Sequence, residues 1–294
     1  NVQVIREPLG VILVIGAWNY PYSTSLLPVI SAMAAGNSVI LKPSENSPST
    51  SVMMSLLFGK LDQRYYRCIE GAVNTSVALN KLNFDLIVFT GGTEIGKIVM
   101  KTASENLTPV ILELGGKNPC VIDSTGDLDS CAKKIASFKF MNSGQTCVNA
   151  DYLLVDESIY DKLVERLIHY CKEYYDGCDV NDGRCSRIIN RFHFDRVLSY
   201  LDGVKDRVIY QAGEIDRANN FIPPMIVEDP SWDSLIMKEE IFGPLLPIKK
   251  FQSFDSVIGL INENNKPLTV IYFGDCGSEN YSKLKGKTSS GGIV

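Results

Sequence analysis

Apolar and polar positions in the first third of the chain fall into two alternating kinds of run. Short apolar blocks at residues 10–15, 38–41, 66–69, 86–89 and 110–112 predict strands, and stretches at 26–35, 49–58, 75–80 and 94–102 predict helices between them. Strands that lack polar alternation need cover on both faces, so this order predicts a parallel sheet wound with helices. A second series follows residue 116. Strands are predicted at 120–122, 152–155, 226–228, 245–251 and 268–273, and helices at 129–140, 159–174, 194–201 and 256–262. The pattern is that of an α/β protein with two domains, residues 1–115 and residues 116–294.

In a wound parallel sheet, functional groups belong just past the carboxyl ends of strands. That rule selects four places: Gly16-Ala17-Trp18-Asn19-Tyr20-Pro21, Lys42-Pro43-Ser44-Glu45, Thr90-Gly91-Gly92-Thr93 and Glu113-Leu114-Gly115-Gly116.

Bulk properties narrow the partners. A chain of 294 residues with 45% apolar content can bury two cores, and its net charge of -5 argues against a surface that neutralises nucleic-acid phosphates. No apolar run reaches the roughly 18 residues of a membrane span. The eight cysteines occur singly, without the C-x-x-C pairs of zinc or redox sites, and read as thiols of a reducing compartment such as the cytoplasm. A small molecule is the expected partner, with no metal. The chain opens at Asn1 without a methionine and stops at Val294 inside an apolar run, so both ends look cut, and a leader or tail anchor is expected to fall outside it.

Cys147 follows a small polar turn, Asn142-Ser143-Gly144-Gln145-Thr146, where backbone amides can point at a reacting oxygen. A single cysteine is more often a small buried hydrophobe, and a nucleophilic one needs a base or positive potential nearby. Only two histidines are present, His169 in an amphipathic helix and His193 in an Arg- and Phe-rich segment, so a cysteine hydrolase is poorly supplied. Glu113 offers another base, a carboxylate at the end of a buried strand before two glycines; alone it reads better as a structural carboxylate capping nearby amides.

Gly91-Gly92-Thr93-Glu94-Ile95-Gly96 stands between a strand and a helix, where first-turn amides can hold a diphosphate. Glu94 is expected to face solvent there, in favour with the helix dipole. Lys42 and Glu45 could hydrogen-bond a ribose, with the carboxylate disfavouring an additional phosphate. Glu239-Glu240-Ile241-Phe242-Gly243-Pro244 presents an acid and a ring before a strand, or is simply a turn.

Each signal is modest, but their order is specific. Trp-Asn-Tyr-Pro, Lys-Pro-Ser-Glu, Gly-x-Thr-x-x-Gly, Leu-Glu-Leu-Gly-Gly-Lys, Asn-Ser-Gly-Gln-Thr-Cys and Glu-Glu-Ile-Phe-Gly-Pro together resemble the aldehyde dehydrogenase superfamily over essentially the whole chain. The forms around Asn19 and Cys147, with Leu107-Thr108-Pro109, look most like its class 3 and fatty aldehyde members. The resemblance implies a Rossmann-like cofactor domain and an α/β catalytic domain. It implies oxidation of an aldehyde to an acid through a thiohemiacetal and a thioester on Cys147, with hydride passing to NAD, or to NADP as an alternative. By position, Glu113 becomes the base and Asn19 an oxyanion donor. Lys42 and Glu45 meet the adenosine ribose, Gly91, Gly92, Thr93 and Gly96 the pyrophosphate, and Glu240 and Phe242 the nicotinamide ribose. A medium- or long-chain aldehyde, a homodimer of the full-length protein, and a membrane contact only through an anchor beyond Val294 are further implications. Asn149-Ala150 replaces an expected Ala-Pro, and Gly92 an expected Ser or Asn; neither removes a catalytic group. Two other readings stand beside this one: a cofactor-fold binding protein without turnover, and the cysteine hydrolase.

Overall fold

The structure, a computed structural model, describes residues 2–181 and 183–294. The chain divides into two compact units, one running to Leu114 and the other Gly115–Val294. The first unit alternates strands and helices in order: β1 (Val11–Ile15), α1 (Pro21–Ala34), β2 (Ser38–Lys42), α2 (Pro48–Phe58), β3 (Tyr66–Cys68), α3 (Val73–Asn80), β4 (Leu86–Gly91), α4 (Thr93–Ser104) and β5 (Val110–Leu114). The predicted strands are all present. Its sheet has the order β3-β2-β1-β4-β5, with every pairing parallel. The chain leaves β1 first to one side and then to the other, so a topological switch point lies between β1 and β4 at their carboxyl ends. Leu13 and Ile87 face one core with Phe89 and Val99, while Val14 and Val39 face another with Met54 and Phe58.

Helix α1 begins five residues before the predicted 26–35. Pro21 occupies its first turn, where a missing N–H costs nothing, and Pro28 sits inside it, so a search for uninterrupted apolar periodicity finds only the second half. Strand β5 is an edge strand with partly buried residues, a correction to the buried strand expected around Glu113.

The second unit holds β6 (Pro119–Ile122), α5 (Leu128–Lys139), β7 (Tyr152–Asp156), α6 (Tyr160–Tyr175), α7 (Arg191–Ser199), β8 (Val208–Gln211), β9 (Met225–Glu228), α8 (Leu235–Lys238), β10 (Leu245–Phe251), α9 (Phe254–Glu263), β11 (Thr269–Phe273), α10 (Glu279–Lys287) and β12 (Gly292–Ile293). Their sheet runs β12-β11-β6-β7-β10-β9-β8, with only β8 antiparallel to its neighbour among the described residues. Two cores fill its faces. One packs α7 and α9 through Phe194, Val197, Val257 and Ile261; the other packs α5 and α6 through Ile135, Leu163 and Leu167.

Candidate functional site

The four places chosen from the first sheet lie at the carboxyl ends of β1, β2, β4 and β5, which in a parallel sheet is one edge. Gly16 follows β1 where α1 folds back so closely that a Cβ would strike the Ser25 hydroxyl. Thr24 then pins the turn. Its Oγ1 accepts from the Ala17 amide at 3.1 Å and is shared as a donor between the carbonyls of Ala17 (3.2 Å) and Tyr20 (3.1 Å). Half-buried Asn19 is carried on this fixed segment.

Lys42, the last residue of β2, is only 1% exposed. Its Nζ donates to the Pro43 carbonyl at 2.8 Å and to Glu45 Oε2 at 2.9 Å. Burial pushes the Glu45 carboxyl up, but its own backbone amide and the Lys42 ammonium outweigh that and hold it below the ordinary carboxylate value.

At the turn from β4 into α4, Gly92 is the N-cap, and a Cβ there would meet nothing within 4 Å. Gly96 is different: its added Cβ would come 2.6 Å from Leu114 Cδ2, so any side chain there would have to displace the Leu114 side chain of β5. A Cβ on Gly91 would meet the Phe89 ring at 2.6 Å. Thr93 opens the helix at the surface, and Glu94 turns outward to Lys97 Nζ at 2.6 Å, as the sequence suggests. Glu113 pairs with Thr90 across the ladder. Burial raises its carboxyl above the ordinary value, and its Oε2 has no hydrogen-bond partner among the described residues.

In the second unit the residues singled out from the sequence, Cys147, Glu240 and Phe242, precede strands, at the ends opposite to those chosen in the first. Asn142 and Ser143 both have φ 53°, and Gly144 has φ 71°. These successive left-handed residues reverse the chain between α5 and Cys147. Gly144 has a second reason to be glycine, since a Cβ would run into the Gly243 carbonyl. This close approach sets the Cys147 turn against the turn carrying Glu240 and Phe242, the latter also left-handed with φ 44°. Glu240 faces Gly115 and Gly116 and accepts from the Gly116 amide at 3.1 Å. Burial and the nearby Asp151 charge push its carboxyl up to about 7, against the Gly116 amide, Arg196 and Lys117. Three separate motifs thus meet inside one unit: Gly115-Gly116, the Cys147 turn, and the Glu240–Phe242 turn.

A buried polar frame that sequence reasoning missed holds them there. Asn118, 1% exposed, donates through Nδ2 to the Cys147 carbonyl at 2.7 Å and the Asn149 carbonyl at 3.1 Å, and accepts from the Thr269 amide at 3.0 Å. Lys117 Nζ is paired with Asp151 and donates to the carbonyls of Ile236 (2.7 Å) and Glu239 (2.9 Å), while Asp151 Oδ1 accepts from the Ile241 amide at 2.9 Å. Asn149 Nδ2 donates to the Lys139 carbonyl at 2.7 Å, so the departure from Ala-Pro ties the residues after Cys147 to the end of α5. The only sequence signal for this frame was that Lys117 and Asn118 continue the Gly115-Gly116 motif.

The histidines are engaged elsewhere. His169 is exposed beside Glu173, and His193, pushed down to about 4 by burial and the Arg196 charge, accepts from Arg196 Nε at 3.3 Å. Among the described residues no three His, Cys, Asp or Glu side chains gather as a metal site, and no helix is long and apolar enough to cross a membrane.

Comparison with known proteins gives a consistent result. The aldehyde dehydrogenase family profile matches residues 1–284. The dimeric NADP-preferring aldehyde dehydrogenase of Mus musculus is 44% identical over 295 residues, covering all of this chain and 64% of the relative. Aldehyde dehydrogenase family 3 member A2 of Pongo abelii is 45% identical over 292 residues, covering 98% of this chain and 59% of the relative. The chain therefore spans about three fifths of the curated relatives it matches. Among solved structures, the substrate-bound state of Staphylococcus aureus AldH superposes with a TM-score of 0.93 at 37% identity, over 98% of this chain and 63% of that one. The Mycobacterium tuberculosis aldehyde dehydrogenase complexed with NAD+ gives 0.87 at 28% identity, over 98% and 61%.

Proposed function

Since this chain belongs to the aldehyde dehydrogenase family, we propose that the protein it forms oxidises aldehydes to carboxylic acids with NAD or NADP, using Cys147 as the nucleophile. The observation that carries this reading is the left-handed Asn142-Ser143-Gly144 turn before Cys147, in which Gly144 lies against Gly243 in the turn that carries Glu240 and Phe242, while Glu240 accepts from the Gly116 amide. A cysteine kept only as a core filler needs no such construction.

The first unit is the cofactor domain and the second the catalytic domain. The residues fit a dinucleotide: Gly92 leaves the amino end of α4 open, Gly96 seats that helix on β5, and Lys42 with Glu45 offers polar groups past β2. Glu45 is itself paired with Lys42, which blunts its repulsion of an additional phosphate and keeps NADP beside NAD as a cofactor. Glu240 and Phe242 are assigned to the nicotinamide ribose. When bound, the cofactor supplies the hydride acceptor for the oxidation.

The chain's own residues do the rest. The Cys147 thiolate adds to the aldehyde carbon, and the Asn19 side chain with the Cys147 amide holds the oxyanion of the thiohemiacetal. After oxidation a thioester remains on Cys147. Glu113, a carboxylate with an uncommitted oxygen and raised proton affinity, takes a proton from water, which hydrolyses the thioester. Medium- or long-chain aldehydes are the proposed substrates. A homodimer, as in the relative named dimeric, and a cytoplasmic or cytosol-facing location complete the reading.

The test is aldehyde-dependent reduction of NAD and NADP by the intact protein. Cys147→Ser should abolish it, and undiminished turnover in that variant would overturn the assignment. Glu113→Gln should still reduce about one equivalent of cofactor per site and then stall, because only thioester hydrolysis needs the base.

A further inference from the structure

Beyond the proposed reaction, the structure holds a pair of sulfur atoms with a chemistry of its own. Cys178 follows α6, and Cys185 lies seven residues further along the same loop; both are thiols, with their Sγ atoms 2.9 Å apart. A disulfide needs about 2.05 Å, so closing the pair asks for less than 1 Å of movement at a loop with exposed residues between the two. Their surroundings differ in a useful way. Cys178 is 1% exposed and its amide is fixed on the Tyr175 carbonyl at 2.9 Å, whereas Cys185 is partly open to solvent.

The residues directly after Cys185 hold the Cys147 turn. The Ser186 carbonyl accepts from the Ser143 hydroxyl, the Arg187 carbonyl accepts from Gln145 Nε2 at 3.0 Å, and the Ile189 amide donates to Gln145 Oε1 at 3.0 Å. Gln145 stands two residues before Cys147. Cys185 is thus directly followed in the chain by the residues that clamp the Cys147 turn.

We propose that Cys178 and Cys185 form a reversible disulfide with peroxide-class oxidants, and that this bond is a redox latch tightening the 186–189 clamp on the Cys147 turn. The partly open Cys185 thiol attacks hydrogen peroxide; the O–O bond breaks, one water leaves and a sulfenic acid remains. Cys178 attacks that sulfur, the S–S bond forms, the S–O bond breaks and a second water leaves. Two electrons from two thiols reduce one peroxide, both thiol protons end in water, and a dithiol reductant reverses the change.

Trypsin makes the pair easy to read, because Lys172, Arg184 and Arg187 place Cys178 in the peptide 173–184 and Cys185 in the peptide 185–187. The intact protein carrying Cys147→Ser, which removes the nucleophilic thiol from the readout, is titrated with hydrogen peroxide and digested without reductant. The expected product is a single species joining 173–184 to 185–187, separated again by dithiothreitol. Hydrogen exchange at residues 187–189 should slow several-fold in the oxidised protein. In a Cys178→Ala background, Cys185 should instead accumulate as sulfinic acid. The proposal is overturned if Cys185 reaches sulfinic acid while Cys178 is still present, or if it links to the Cys171 peptide 167–172 instead. It is equally overturned if the expected link forms with unchanged exchange at 187–189. None of these readouts depends on turnover, so the latch and the dehydrogenase reading stand or fall separately.

Discussion

Asn118 is where one side chain does most to fix the backbone at Cys147. It satisfies the carbonyls of Cys147 and Asn149 and the amide of Thr269, all from a buried position. An unsatisfied buried polar group costs about 1–3 kcal/mol. Asn118→Ala should accordingly lower unfolding stability by several kcal/mol in urea titration and depress turnover, because the carbonyl orienting the Cys147 peptide is released. Asn118→Asp should be no better, since a carboxylate cannot donate to those two carbonyls. Glu240 makes a different prediction, about pH. Its carboxyl moves from an ordinary value near 4.5 up to about 7, so the folded protein holds this proton more tightly than the unfolded chain does. The resulting stability is fully present below about 4.5 and lost as pH rises through about 7. Glu240→Gln keeps the acceptor for the Gly116 amide and removes the charge, so it should flatten that part of the stability–pH curve for the cofactor-free protein. An unchanged slope would show that other groups set it. At this scale the sequence exposed the residues that come in motifs, such as Cys147, Glu113 and the glycines. It hid Asn118, Lys117 and Asp151 as a frame, because their partners lie up to 151 positions away and nothing local marks a polar side chain as satisfied.

Among elements, α4 separates two glycines that look alike on paper. Gly96 is packed on Leu114, and Gly92 faces open space. Gly96→Val should push α4 off β5, cost about 1–3 kcal/mol as an overpacked contact and raise the KM for NAD. Gly92→Ser should be tolerated or should stabilise by a few tenths of a kcal/mol, because serine is the better N-cap and the backbone, at φ -69°, is already one that serine adopts. Calorimetry and cofactor titration on the two variants check the contrast; equal losses would mean that Gly92, too, is sterically required. Elements were legible in proportion to the length of their apolar runs. β10, seven residues long, matches its predicted bounds, and β2, β4 and α6 are displaced by one or two residues at an end. β8, α8, α10 and β12 were missed. β12 is two residues long, α8 is four, and α10 buries only Leu284, so none carries enough periodicity to stand out.

At the scale of the whole chain, the two units use opposite ends of their parallel sheets. In the first, Asn19 and Gly92 follow strands, Lys42 and Gly91 are the last residues of theirs and Glu113 the next to last of β5; in the second, Asn118, Cys147, Asp151 and Glu240 precede strands. The carboxyl-end rule therefore selects residues in the first unit and is silent about the second, where motif order has to take its place. That division makes the cofactor assignment testable without any turnover. A ligand that binds only the folded protein adds stability by mass action, about 2.7 kcal/mol at one hundred times its dissociation constant, and slows exchange where it binds. NAD should therefore protect amides of the first unit at the carboxyl ends of β1, β2 and β4 and in the first turn of α4. In the second unit protection should concentrate around Glu240 and Phe242, with the strand centres of both sheets little changed. Hydrogen exchange read by mass spectrometry on the intact protein resolves these segments. Protection confined to the second unit would remove the cofactor role from Lys42, Glu45 and the Gly91–Gly96 turn while leaving Cys147 untouched. Protection confined to the first would remove it from Glu240 and Phe242, leaving the raised carboxyl of Glu240 as a structural consequence of its burial and the Asp151 charge.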